Sequence, residues 1–190
     1  KKIEERGGVY GSGQGGTTGE SPTLGFDENI QVIELAVRAA KGRVKVLAGT
    51  GADATDVAVH LTQAAEAVGA DGSLQVAPYY NKPSQEGLFQ HFKKIARATS
   101  LPIILYSIPG RCNIAIEVPT VQRLAKACKN IVGIKEAGGD ADRVSELRAA
   151  LGQRFTILSG DDALALPFMA VGAEGVISVA SNILPRQITR

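Results

Sequence analysis

Short apolar runs recur along the chain at residues 44–48, 74–77, 102–106, 131–135, 155–159 and 175–179. Their starts lie 20 to 30 residues apart. Each is frequently β-branched and closed by Gly, Pro, Ser or Asn, the marks of strands buried on both faces of a parallel sheet. Between the runs the apolar period changes to that of an amphipathic helix. Residues 55–68 carry Val57, Val59, Leu61, Ala64, Ala65 and Val68, and residues 85–98 carry Leu88, Phe89, Phe92, Ile95 and Ala96. Residues 118–127 and 143–151 continue the pattern, and residues 27–40 precede it, with Asp27 placed to cap that first helix.

Alternation of the two periods means successive βα units around a parallel sheet. Six or seven nearly equal units with short connections favour a closed barrel over an open doubly wound sheet. The expected fold is therefore α/β, a (β/α)8 TIM barrel. No linker or composition shift divides the chain, so residues 1–190 are expected to form one barrel domain. A complete barrel typically needs about 250 residues. Before the first helix only the stretch from Gly7 to Gly16 stands where a strand is needed, and glycine weakens strands. The barrel is thus expected to be partial, incomplete at the N-terminus (first strand and helix) and at the C-terminus (last helices).

Composition narrows the function classes. The chain is 44% hydrophobic and 21% charged with a net charge of +2, enough apolar material for a sizeable core. Aromatic residues make up 5% with no Trp, and no basic stripe interleaves with them, so nucleic acid is not an expected partner. No apolar run approaches the roughly 20 residues that span a bilayer, and Lys1 to Arg6 is charged without an apolar run behind it, so neither membrane nor secretory leader is expected. Cys112 and Cys128 form no CxxC pattern and His60 and His91 stand apart, which points to reduced thiols, a cytoplasmic setting and no metal site. Gly11, Gly13 and Gly16 satisfy G-x-G-x-x-G, but no apolar strand precedes them and no helix pattern follows, so dinucleotide binding is not expected.

Ten lysines are present, and two lie inside strand runs. Lys45 begins its strand, at the end where it reaches water. Lys135 ends Ile131-Val132-Gly133-Ile134, at the carboxyl end that carries the chemistry of this fold. Alternation puts Lys135 on one face with Gly133 and Ile131, the glycine leaving room beside it. Burial lowers an ammonium's pKa, and a neutral amine can attack a keto carbonyl to form an imine. On position alone the other reading stays open, a lysine paired with Glu136 or Asp161. Three further strand ends carry Tyr79-Tyr80-Asn81-Lys82-Pro83, Tyr106-Ser107-Ile108-Pro109-Gly110-Arg111 and Ser159-Gly160-Asp161-Asp162. Tyrosine hydroxyls can relay the protons that imine formation requires, and an arginine at the same rim can grip a carboxylate through two parallel hydrogen bonds.

These motifs, with Gly16-Thr17-Thr18-Gly19-Glu20-Ser21, Gly49-Thr50-Gly51 and Gly133-Ile134-Lys135-Glu136-Ala137, resemble the dihydrodipicolinate synthase and N-acetylneuraminate lyase superfamily, in its order and spacing from residue 16 to about 182. Within it, the Tyr-x-x-Pro-x-Arg pattern ending at Arg111 is similar to the synthase branch. The resemblance implies a Schiff-base lyase that condenses pyruvate with L-aspartate 4-semialdehyde in lysine (diaminopimelate) biosynthesis. It implies Lys135 as nucleophile and Thr17, Tyr80 and Tyr106 as the proton relay, with Tyr80 reaching in from a neighbouring subunit. Thr18 and the backbone around Gly160 and Ile177 would hold the pyruvate carboxylate and the lysine, and Arg111 would bind the semialdehyde. No metal or external cofactor is implied, and a homodimer or homotetramer is. Phe26, Asn29, Asp53 and Val57 stand where lysine-inhibited members carry polar or basic residues after the Gly-Thr-Thr-Gly-Glu-Ser motif and an Asn and a Glu after Gly-Thr-Gly, so lysine feedback is expected to be weak or absent. Two alternatives remain: another pyruvate-dependent aldolase (N-acetylneuraminate or 2-keto-3-deoxy sugar acid lyase), which would not need Arg111, or a non-catalytic fragment of such a barrel.

Overall fold

In the computed structural model, residues 9–10 and 19–188 are described. Seven parallel strands pair in sequence order: β1 (Val9–Tyr10), β2 (Lys45–Gly49), β3 (Gly72–Val76), β4 (Ile103–Ser107), β5 (Ile131–Glu136), β6 (Thr156–Ser159) and β7 (Gly175–Val176). Helices α1 (Phe26–Ala40), α2 (Thr55–Ala67) and α3 (Gln85–Arg97) follow the first three. After β4 come a short α4 (Pro109–Cys112) and α5 (Val118–Ala127), then α6 (Ala141–Leu151) after β5, α7 (Ala165–Ala170) after β6 and α8 (Pro185–Ile188) after β7. This is the curved wall of a (β/α) barrel, as the periodicity predicts. The front strand is described only at Val9 and Tyr10, which pair with Lys45 and Val46.

Each strand packs on two sides because successive side chains point to opposite faces. On β4, Ile103 and Leu105 join an outer layer with Leu88, Phe92, Ile134 and Ile157 beneath the helices. Ile104 and Tyr106 point inward with Leu47 and Leu74. The helices begin where local chemistry satisfies their first N–H groups. The Ser84 hydroxyl accepts from Gly87 N at 3.1 Å to open α3, and Asp140 accepts from Asp142 N at 2.9 Å to open α6. Glu86 in the first turn of α3 and Lys94 and Arg97 in its last complement the dipole. Asp27 does not cap α1. Gly25 holds that position, and Glu28 reaches back to accept from its N–H at 2.8 Å, leaving Asp27 inside the first turn.

One departure from regular alternation lies beneath the site. Ile103 pairs with Ile131 but Ile104 pairs with Gly133, so Val132 is an extra residue on β5. Ile131 is thereby turned into the outer layer. The expectation that it shares a face with Lys135 fails for this reason. Gly133 does keep the inward face, but the space of its missing side chain is filled: a Cβ there would meet Thr156 O at 2.7 Å and Ile104 Cδ1 at 2.8 Å.

Candidate active site

Lys135 lies at the carboxyl end of β5, opposite Tyr106 of β4 in register. Its side chain is only 7% exposed and that of Tyr106 only 4%. The ammonium sits over the Tyr106 ring, 3.9 Å from the centroid. Val76, Ile108, Ala137 and Ile177 flank the inner cluster that contains Tyr106, so the walls of this mouth are apolar. Burial pulls the lysine pKa down from 10.5 to about 8, against a weaker upward pull from the charge of Asp162. Among the described residues no carboxylate lies within ion-pairing distance of Lys135. Glu136, one candidate partner, turns to the outer face and pairs with Arg143, and Asp161, the other, is exposed.

The room beside the lysine comes from Gly160. A Cβ at Gly160 would stand 3.0 Å from Lys135 Cε and 2.7 Å from Ala137 Cβ, while its own N–H donates to Glu136 O at 2.8 Å. Ile177 closes the neighbouring side, its N–H donating to Ser159 O at 2.9 Å. The Asp162 carboxylate accepts from Val179 N and Ala180 N, each at 3.0 Å, and so fastens the segment after β7 against the end of β6. Although burial pushes its pKa up, the Ser178 hydroxyl and these two N–H groups together hold it below the usual carboxylate value.

The remaining residues are spread around the rim. Arg111 lies exposed on α4 and forms no ion pair among the described residues. Tyr80 is 89% exposed with a left-handed backbone, φ 68°, and contributes nothing to the lysine's surroundings within this chain. Tyr79, its neighbour, packs against the core instead, and burial raises its hydroxyl pKa. Thr17 and Thr18 lie outside the described residues. Thr50 of the Gly-Thr-Gly motif is fully buried behind the site and bonds to Thr62 at 2.9 Å and Ser73 at 2.8 Å, a structural knot.

Past the carboxyl end of β2 a cleft of about 190 Å3 is lined by Leu24, Phe26, Asn29, Asp53, Val57 and Tyr79, among others. It gathers the four residues at which weak lysine feedback is expected. Phe26 and Val57 each expose 47% of their surface, and the Asn29 amide is committed to the carbonyls of Leu24 and Gly25 at 3.2 and 3.1 Å.

Two features escape the sequence reading. Gly160 acts on a lysine of the neighbouring strand, a relation visible only once β5 and β6 are paired. The Glu136–Arg143 ion pair had a signal: alternation places the residue after Lys135 on the covered outer face, where a carboxylate needs a cation. Arg143, in the first turn of the next helix, supplies it at 2.8 Å. Elsewhere the described residues hold no group of three or more His, Cys, Asp or Glu arranged for a metal ion, no helix long and apolar enough to cross a membrane, and two buried free cysteines.

The chain matches the model of the dihydrodipicolinate synthetase family over residues 5–190. It is 57% identical over 173 residues to the 4-hydroxy-tetrahydrodipicolinate synthase of Aquifex aeolicus (strain VF5), covering 91% of this chain and 59% of that protein. The solved 4-hydroxy-tetrahydrodipicolinate synthase of Methylacidiphilum fumariolicum SolV superposes with a TM-score of 0.91 at 60% identity, over 92% of this chain and 58% of that one. The chloride-inhibited dihydrodipicolinate synthase of Acinetobacter baumannii, solved with pyruvate, gives a TM-score of 0.89 at 49% identity, over 92% of this chain and 60% of that one. The chain spans about three fifths of the length of the curated relatives it matches. With nearly every residue inside the family model and a barrel wall that superposes on solved members, the chain belongs to the dihydrodipicolinate synthetase family.

Proposed function

We propose that this chain carries the Schiff-base centre of a 4-hydroxy-tetrahydrodipicolinate synthase, a lyase condensing pyruvate with L-aspartate 4-semialdehyde in lysine biosynthesis. One observation carries the reading: a lysine at the carboxyl end of a barrel strand, 7% exposed, with its pKa lowered to about 8. At pH 7 such an amine is neutral roughly a tenth of the time, some 300-fold more than an ordinary lysine. The pyruvate bound in the Acinetobacter relative supports the choice of keto acid.

In this mechanism Lys135 Nζ attacks the keto carbon of pyruvate, and the carbinolamine loses water to give the imine. Loss of a methyl proton gives the enamine, whose carbon adds to the aldehyde, and cyclisation through the substrate's amine releases the product and frees the lysine. The lysine is the electron sink, so the chemistry calls on no metal or external cofactor. Tyr106, whose ring packs against the ammonium, would pass protons to and from the carbinolamine oxygen, in series with Thr17 and a Tyr80 supplied by a second subunit. The exposure of Tyr80 and its left-handed backbone fit a side chain held out toward a partner. Thr18 and the backbone at Gly160 and Ile177 hold the pyruvate carboxylate and the lysine, and Arg111 takes the carboxylate of the semialdehyde. We further assign residues 1–190 to part of a single barrel domain, working as a homodimer or homotetramer in the cytoplasm.

Incubation with pyruvate and borohydride, followed by peptide mass spectrometry, tests the reading. A reduced pyruvyl adduct on Lys135 is expected. No adduct, or an adduct on another lysine, refutes it.

A further inference from the structure

Lys135 and Glu136 are consecutive, so they leave β5 on opposite faces. The Glu136 side chain is completely buried, in a place where an apolar residue would ordinarily sit. Its Oε1 accepts from Gly138 N at 2.7 Å and its Oε2 from Arg143 Nε at 2.8 Å. Arg143, itself only 15% exposed, extends a second arm to the carbonyl of Ile116. Ile116 N in turn donates to the Ser107 hydroxyl at the end of β4 at 3.3 Å, and Ala137 N donates to Ser107 O at 2.9 Å. The closed circuit thus runs from the lysine's strand through α6 to the segment between α4 and α5, and back to the strand carrying Tyr106. That segment begins just after Arg111.

Stability alone does not account for such a pair. Replacing a buried ion pair by apolar residues of similar volume is often neutral or stabilising. What the pair adds is direction: Arg143 is a rigid fork with two fixed arms, one holding the end of β5 through Glu136 and the other the segment between α4 and α5 through Ile116. We propose that Glu136 and Arg143 are positioning residues for the condensation. They fix the end of β5 so that the Lys135 amine stays in the gap left by Gly160, and they tie the segment after the Arg111 helix to the same strand. One side-chain pair then links the nucleophile's strand to the segment that follows the helix carrying the second substrate's anchor. This inference rests on the function proposed above.

The decisive variant is Glu136→Met/Arg143→Met, which removes the circuit while keeping volume and avoiding an orphaned buried charge. It is compared with Arg143→Lys, which keeps the charge but lacks the second arm. Melting temperature, the rate of borohydride-trapped adduct formation on Lys135, and KM for each substrate are measured on the whole chain. The double variant is expected to melt at or above the wild-type temperature, yet trap pyruvate at least about tenfold more slowly and raise KM for the semialdehyde by a similar factor. Arg143→Lys is expected to show the KM effect without losing the adduct. A folded double variant with wild-type trapping and KM overturns the inference. If the double variant does not fold, wild-type kinetics in Arg143→Lys overturn it and a raised KM at unchanged melting supports it. Absence of any adduct in the wild type refutes the proposed function and the inference with it, whereas a wild-type adduct with unperturbed variants refutes the inference alone.

Discussion

Replacing Lys135 by Met should make the chain more stable while abolishing adduct formation. The magnitude follows from the lysine's environment. Its pKa falls from 10.5 in the unfolded chain to about 8 in the folded one, chiefly through burial. That difference corresponds to about 3 kcal/mol by which the folded state disfavours the charged form. Below pH 8 the amine is charged in both states and the whole cost is present. Between about pH 8 and 10.5 the unfolded chain holds the proton more tightly than the folded one, so stability rises with pH and the cost disappears. Methionine follows the same unbranched path through the apolar mouth and carries no charge. It gives up the contact with the Tyr106 ring, worth about 1–2 kcal/mol when desolvated. The net gain expected at pH 7 is therefore about 1–2 kcal/mol.

Urea unfolding of both proteins at pH 7 and near pH 10.5 measures it. Other groups that titrate in this range do so in both proteins, so the difference isolates the lysine. The gain should be largest at pH 7 and shrink or reverse at the higher pH. A variant no more stable than wild type at pH 7, or a difference that does not change with pH, would refute the claim that burial is what depresses this amine.

Four further outcomes are expected. Gly160→Ala places a methyl group 2.7 Å from Ala137 Cβ and 3.0 Å from Lys135 Cε, so it should slow pyruvate trapping by about tenfold or more and cost about 1–3 kcal/mol in urea unfolding. Arg111→Ala should leave the pyruvate adduct intact but raise KM for the semialdehyde by about ten- to a hundredfold, the value of a charge-assisted pair; unchanged steady-state kinetics would favour an aldolase that does not use this arginine. Burial holds the His91 pKa near 4, against 6.5 unfolded. Its neutral form thus supports stability above pH 6.5, and about 3 kcal/mol is lost as pH falls toward 4. Melting curves for His91→Leu should lack that part of the acid loss. Titration calorimetry with millimolar lysine should give no binding isotherm, because Phe26 and Val57 line the cleft with apolar surface and the Asn29 amide is already engaged.

What could be read from the chain, and what could not, divides along the range of the interactions involved. Six strands and their helices were legible because each is encoded by its own residues: two-sided burial writes a continuous apolar run, and one-sided burial writes a 3.6 period. Lys135 stood out for the same local reason, a charge at the end of an apolar strand. The relations between strands were not local. Val132 becomes an extra residue only because β4 pairs with β5 in a shifted register, and that shift sends Ile131 outward where simple alternation would turn it in. Gly160 reads as a loop glycine until β6 is laid beside β5. Arg111 and Tyr80 were legible as residues of the rim, and both are exposed, so within this chain they do not pack around the lysine.

The division also explains why the site can be placed within a wall of strands. Lys135, Tyr106, Gly160 and Ile177 come from four consecutive strand ends, each hydrogen-bonded to the next, so their mutual geometry is fixed by the sheet that carries them. An amine whose depressed pKa comes mainly from burial needs only those walls to remain apolar, not a distant charge. The groups that lie outside this wall are those expected to meet substrate oxygens, where access matters more than burial. A proposed nucleophile assembled from adjacent strands, with its partners on exposed rim segments, should therefore lose second-substrate affinity before it loses the ability to form the imine. Graded urea supports this order if KM for the semialdehyde rises at concentrations where pyruvate trapping on Lys135 is still complete; simultaneous loss of both would contradict it.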